Sequence, residues 1–162
     1  MTTGTEKFLK LIGSPVQFRL FLLSRLPSAY FSGVRIREAS EERCVVTVPY
    51  NWFTRNPFRS TYFACLSMAA EMSTGALAMA HLYGIKPAVS LLVTKVESTY
   101  TKKASGITWF TCEDGLMIKE AIHETIASGQ PAIARALSIG RNKEGEVVAE
   151  FHVTWSFKQR GS

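Results

Sequence analysis

From Ser60 to Ala80 the chain reads STYFACLSMAAEMSTGALAMA, twenty-one residues with a single charge, Glu71, and a high content of Ala, Met and Leu. A stretch this long and this apolar predicts a helix with no solvent face, which needs cover on all sides. Its length also suits a membrane span. The many Ala, Ser and Thr, the carboxylate at its middle and the absence of any second comparable stretch in the sequence argue against lipid as the cover. Strand patterns lie before and after it in the chain. A sheet wrapped round one long central helix supplies the cover, and no membrane span is expected.

The rest of the sequence fits that arrangement. Residues 5–26 carry two short helical patterns, the second opening at Ser14-Pro15, where Ser can cap and Pro suits the first helical position, and closing at Pro27. Val16, Phe18, Leu20, Phe21, Leu22 and Leu23 give that second helix a broad apolar face, which is expected to pack on the sheet or on a partner subunit, with binding to a membrane surface as the lesser alternative. Segments 34–38 and 43–49 flank the polar stretch 39–42 and predict a β-hairpin. Residues 50–59, rich in Asn, Pro, Arg and aromatics, predict a loop. After the central helix come strands over 88–102 and 107–112, and a helix capped by Asp114 that runs to about Ser128, with Gly129 and Pro131 as its stop signals. Two last strands, over 132–141 and 146–158, are joined by the turn Asn142-Lys143-Glu144-Gly145. In the final one Phe151, Val153, Trp155 and Phe157 alternate with polar residues, so one face is apolar. No regular βαβ alternation occurs, and the class is α+β. At 162 residues and 46% apolar, the expectation is one domain over 1–162, with a helical segment at about 5–26.

Charge excludes some partners. The net charge of +6 comes from Lys and Arg placed singly or in pairs, without an RNA-binding signature, zinc-finger spacing or basic amphipathic helix, so nucleic acid is not expected. The scattered cations are a solvated surface, and they also suit the phosphates of a coenzyme A ligand. Cys44, Cys65 and Cys112 are odd in number and widely spaced, which implies no disulfide framework. Arg19 and Arg25 interrupt the early apolar stretch, so no signal peptide is expected and the location reads as cytoplasmic. His81, His123 and His152 lack the spacing of metal ligands, and no phosphate loop, dinucleotide-binding glycine pattern or nucleophile elbow occurs, so neither metal nor cofactor is expected.

Glu71 is the residue that demands an explanation, because an ionised carboxylate in an apolar helix costs several kcal/mol unless it is paired or solvated. One reading is an ion pair, between subunits or within the domain, with Arg55 or Arg59 as partner. In the other it lines a pocket, where desolvation raises its pKa and suits it to general base work. Ser60, Ala64, Ser67, Gly75 and Ala78 fall near its face at helical spacings, and such small residues admit a ligand, a water or another backbone. Tight helix packing explains the same face. The helix N-terminus beside Asn56 offers free amides that can hold an anion or polarise a carbonyl.

The segment Asn56-Pro57-Phe58-Arg59-Ser60-Thr61-Tyr62-Phe63-Ala64, followed by Glu71, resembles the loop and central helix of hotdog-fold thioesterases of the PaaI-like type, and more closely their DUF4442 branch. The family pattern has Asn, a Gly three later, His-Gly-Gly six later and an acid nine beyond the His. Asn56 and Glu71 match, while Arg59 stands for the first Gly, Tyr62 for His and Phe63-Ala64 for Gly-Gly. The resemblance implies a hotdog fold, a homodimer or homotetramer, and an acyl-thioester pocket between subunits. It implies that Glu71 activates water or attacks the thioester carbonyl, that the Phe63 and Ala64 amides stabilise the oxyanion, and that Asn56 positions water or substrate. Tyr62 then orients or walls the pocket, with Ser60 and Ser67 lining it. The expected function is hydrolysis of an acyl-CoA thioester. The alternatives are an acyl-CoA or fatty-acyl binding protein that has lost turnover, as the replaced His and Gly residues allow, and a purely structural subunit.

Overall fold

The computed structural model describes residues 3–161. Three short helices, α1 (Gly4–Gly13), α2 (Pro15–Arg25) and α3 (Pro27–Phe31), lead into the hairpin β1 (Arg35–Ala39) and β2 (Cys44–Val48). The long helix α4 (Phe63–Leu82) follows, then β3 (Val89–Tyr100), β4 (Thr108–Cys112), α5 (Gly115–Ser128), β5 (Ala132–Arg141) and β6 (Val147–Gln159). The six strands form one antiparallel sheet in the order β1-β2-β4-β5-β6-β3. Such a sheet round a central helix is the architecture expected from the long apolar stretch.

The inner face of the sheet holds the alternating residues that the sequence marked out. Phe151, Val153, Trp155 and Phe157 of β6 are buried, and Ala132, Ala134 and Ala136 of the neighbouring β5 join them. Phe110 of β4 meets Phe151 edge-on at 5.6 Å. Small polar groups on α4 are satisfied where they enter this core. The Ser73 and Ser138 hydroxyls lie 2.7 Å apart, tying α4 to β5. The Trp155 indole donates from Nε1 to Thr74 Oγ1 at 2.9 Å, and Thr74 Oγ1 donates in turn to the Glu71 carbonyl at 2.9 Å.

Four local expectations need correction. The central helix starts at Phe63, not Ser60, because the preceding amides are committed to other partners. Ser60 N donates to Asn56 Oδ1, Thr61 N to the Ala104 carbonyl and Tyr62 N to the Thr54 carbonyl. Pro27 opens α3 instead of merely ending α2, since its fixed φ suits a first helical position. Asp114 sits at the N-cap of α5 without capping it; its Oδ2 accepts instead from Leu137 N of β5 at 2.6 Å. Finally, of the two partners expected for α2 the sheet is not the one used within the chain: α2 packs on α1 and α3, burying Phe18 and Leu22, and leaves Val16, Leu20 and Leu23 exposed.

Cover around α4 is also incomplete. Ala64, Ser67, Met68 and Glu71 are half-exposed while Cys65, Leu66, Ala69, Ala70 and Met72 between and beside them are buried, and these four follow the i, i+3, i+4, i+7 spacing of one helix stripe. The sheet edge nearby is open as well. Strand β3 pairs with β6 on one side only and exposes Leu92, Val96 and Tyr100.

Candidate functional site

The part of the loop next to α4 is organised by the Asn56 side chain. Asn56 Oδ1 accepts from Phe58 N at 3.0 Å, Ser60 N at 3.2 Å and Ser60 Oγ at 3.2 Å. Backbone bonds from Asn56 N to the Ser60 carbonyl and from Arg59 N to the Asn56 carbonyl close the turn. The tightness of this turn forces Arg59 to φ +60°, among the described residues the single positive φ outside glycine. An L side chain there carries roughly 1–2 kcal/mol of steric strain, which is the physical reason for a Gly at this point in the family pattern. Thr61 then pins the loop to the far side of the site, its N and Oγ1 both donating to the Ala104 carbonyl at 2.8 and 3.1 Å.

Between this loop and the Tyr100–Ala104 segment lies a cavity of about 640 Å³ with Leu66 beneath it. Asn56, Ser60, Tyr62 and Phe63 line it; Ala64, Ser67 and Glu71 do not. Tyr62 and Phe63 stack edge-on at 4.9 Å and are 46% and 56% exposed, so they wall the mouth. The Phe63 and Ala64 amides open α4 and have no hydrogen-bond acceptor among the described residues. The carbonyl end of Asn56 is consumed by the loop, and only its amino end is free to meet a ligand.

Glu71 lies apart from that cavity. Eight residues separate it from Phe63, roughly 12 Å along the helix axis and about 80° around it. Its carboxylate rests beside the Trp155 ring over Gly75: a methyl group on Gly75 would meet Glu71 Oε1 and Trp155 Cζ2 each at 3.2 Å. Here the small residue admits the indole of β6 against the helix. Burial alone pushes the Glu71 carboxyl above the usual carboxylate range. Among the described residues no cation pairs with it, and Arg55 and Arg59 are free of ion pairs too. The half-exposed Ala64-Ser67-Met68-Glu71 stripe leads to it from outside the chain.

Some of the surroundings escaped the sequence reading. The Thr74–Trp155 hydrogen bond and the Tyr100–Ala104 wall depend on contacts across more than forty residues, although Lys102-Lys103 and the β6 alternation were visible signals. Among the described residues no group of three or more His, Cys, Asp or Glu is placed to hold a metal ion. Cys44, Cys65 and Cys112 are buried free thiols, with burial pushing Cys44 and Cys112 up to about 12.

Comparison with known proteins places this geometry in context. Protein PA5026 of Pseudomonas aeruginosa, named a probable thioesterase, superposes with a TM-score of 0.76 at 19% identity, covering 91% of this chain and 97% of that one. Thioesterase HI1161 of Haemophilus influenzae gives 0.65 at 11% identity, covering 90% and 91%. The Escherichia coli PaaI protein from the phenylacetic acid degradation operon gives 0.63 at 13%, covering 94% and 97%. At these identities the likeness establishes the hotdog fold. A search of curated proteins returned no match. The model of the family described as Domain of unknown function (DUF4442) matches residues 17–157, and the chain belongs to that family.

Proposed function

We propose that the chain hydrolyses an acyl-CoA-type thioester at a pocket shared by two protomers of a homodimer or homotetramer in the cytoplasm. The observation that carries this reading is the position of Glu71. A half-buried carboxylate with raised proton affinity and, among the described residues, no ion-pair partner stands on an open stripe, out of reach of the free Phe63 and Ala64 amides of its own chain. A second copy brings the missing half, and the open β3 edge gives the sheets a way to join. Glu71 of one protomer then takes a proton from water, and the hydroxide adds to the thioester carbonyl. The Phe63 and Ala64 amides of the other protomer hold the resulting oxyanion, helped by the positive end of α4. Collapse breaks the C–S bond, and the thiolate leaves with the proton returned by Glu71. The free amino group of Asn56 orients the substrate.

The test is a panel of acyl-CoA esters with purified protein. Glu71→Gln is expected to lower turnover by at least about a hundredfold, the lower end of what a general base supplies. Mixing that variant with Asn56→Ala should restore activity, because a mixed dimer has one intact pocket. Unchanged turnover in Glu71→Gln, or a monomer in sedimentation, overturns the mechanism. The bulky Tyr62–Phe63 pair beside the amides favours a second reading, saturable acyl-CoA binding without hydrolysis.

A further inference from the structure

On the outer side of the Asn56 loop lies a second groove of about 520 Å³, lined by Tyr50, Trp52, Arg55, Asn56, Pro57 and Arg59. Asn56 and Pro57 border both this groove and the 640 Å³ cavity, so the two are separated by a single ridge. Trp52 is 76% exposed, the most exposed of the large hydrophobic side chains among the described residues. Among the described residues the Arg55 and Arg59 guanidinia make no ion pair and no side-chain hydrogen bond. Lys103 and Lys102, the latter ion-paired with Glu146, line the adjoining cavity, and neither hollow has an Asp or Glu in its wall. Two forked cations with ten donors between them, beside an open indole, match phosphate oxygens next to a planar heterocycle.

We propose that this groove holds the nucleotide end of the thioester's carrier, with Arg55 and Arg59 on phosphate oxygens and Trp52 stacked on the base. This rests on the thioester reading and narrows it to a nucleotide carrier such as coenzyme A. A protein carrier offers a single phosphodiester and acidic side chains, which the arginines satisfy equally well, but it leaves the exposed Trp52 without a ring to meet. Arg59 gains from the turn as well. At φ +60° its side chain is held on the outer side of the loop, facing the groove and away from the cavity.

The experiment measures binding of coenzyme A, 3′-dephospho-coenzyme A, ADP and pantetheine by titration calorimetry, and compares hydrolysis of acyl-CoA with that of the matching acyl-pantetheine. Arg55→Ala/Arg59→Gly removes both cations, the second by the residue the turn prefers. Its coenzyme A Kd is expected to rise at least tenfold, with the ratio of kcat/KM for acyl-CoA over acyl-pantetheine falling by a similar factor. Trp52→Ala should weaken ADP several-fold and leave inorganic pyrophosphate where it was. Wild-type protein that binds pantetheine as tightly as coenzyme A, or a double variant that keeps its coenzyme A affinity, overturns the proposal. Loss confined to an acyl carrier protein, with no coenzyme A binding, overturns it in favour of a protein carrier. Coenzyme A binding that needs the arginines, without hydrolysis of any thioester, leaves the groove standing and removes the hydrolytic reading. A fold check by circular dichroism accompanies each variant.

Discussion

Thr74→Val isolates the contact that seats the Trp155 ring beside Glu71. The substitution keeps the shape of the side chain and removes its oxygen, so the cavity and area terms stay small. Trp155 is 4% exposed and Thr74 fully buried, and water cannot take over the lost acceptor. An indole N–H left without a partner in a buried site costs about 1–3 kcal/mol. The Glu71 carbonyl also loses the Thr74 hydroxyl, but it keeps its helical acceptor role, so that loss is the smaller part. At this chain length about 2–4 °C of Tm accompanies each kcal/mol, which predicts a fall of about 2–12 °C. The assay is a thermal and urea double-mutant cycle with Trp155→Phe, which has no N–H to orphan. Trp155→Phe should therefore cost less in the Thr74→Val background than in the wild type, by about 1 kcal/mol or more. Strict additivity of the two, or a Thr74→Val protein within about 0.5 kcal/mol of the wild type, refutes the reasoning.

Two further predictions concern buried polar groups. The Glu71 carboxyl has a higher pKa folded than unfolded, where it is about 4.3. Its favourable contribution is complete below that value and is lost as pH rises through the folded pKa, since the folded chain keeps a proton that the unfolded chain has released. Glu71→Gln should accordingly gain Tm relative to wild type as pH is raised from 4 toward 8, and a constant difference across that range would falsify the assigned burial. Thr108 Oγ1 is buried with no hydrogen-bond partner among the described residues, so Thr108→Val should stabilise by about 1 kcal/mol, read as a higher urea midpoint at unchanged m-value; a destabilised variant would mean that the hydroxyl has a partner.

The fold was legible because its strongest signals are long or periodic. The stretch around Glu71 carries one charge in twenty-one residues, the Phe151–Phe157 alternation keeps one period over several pleats, and both elements stand where expected. Boundaries were less legible, since they are set by long-range acceptors. The Ala104 and Thr54 carbonyls decide where α4 begins, and Leu137 N decides what Asp114 does. At the site, Asn56, Ser60, Tyr62 and Phe63 come together as a local loop must. The separation of Glu71 from them follows from helix rise and could have been computed from the sequence. The Trp52–Arg55–Arg59 groove could not, because its shape is created by the turn that Asn51 holds and, at Arg59, by the turn that Asn56 ties.

That tie has an evolutionary corollary. A position whose backbone already prefers glycine tolerates glycine without remodelling, so Arg59 can be given up or regained through one codon while the surrounding loop keeps its conformation. On the reading proposed above, ligand preference on the outer rim can drift in this way while Glu71, on α4, stays as it is.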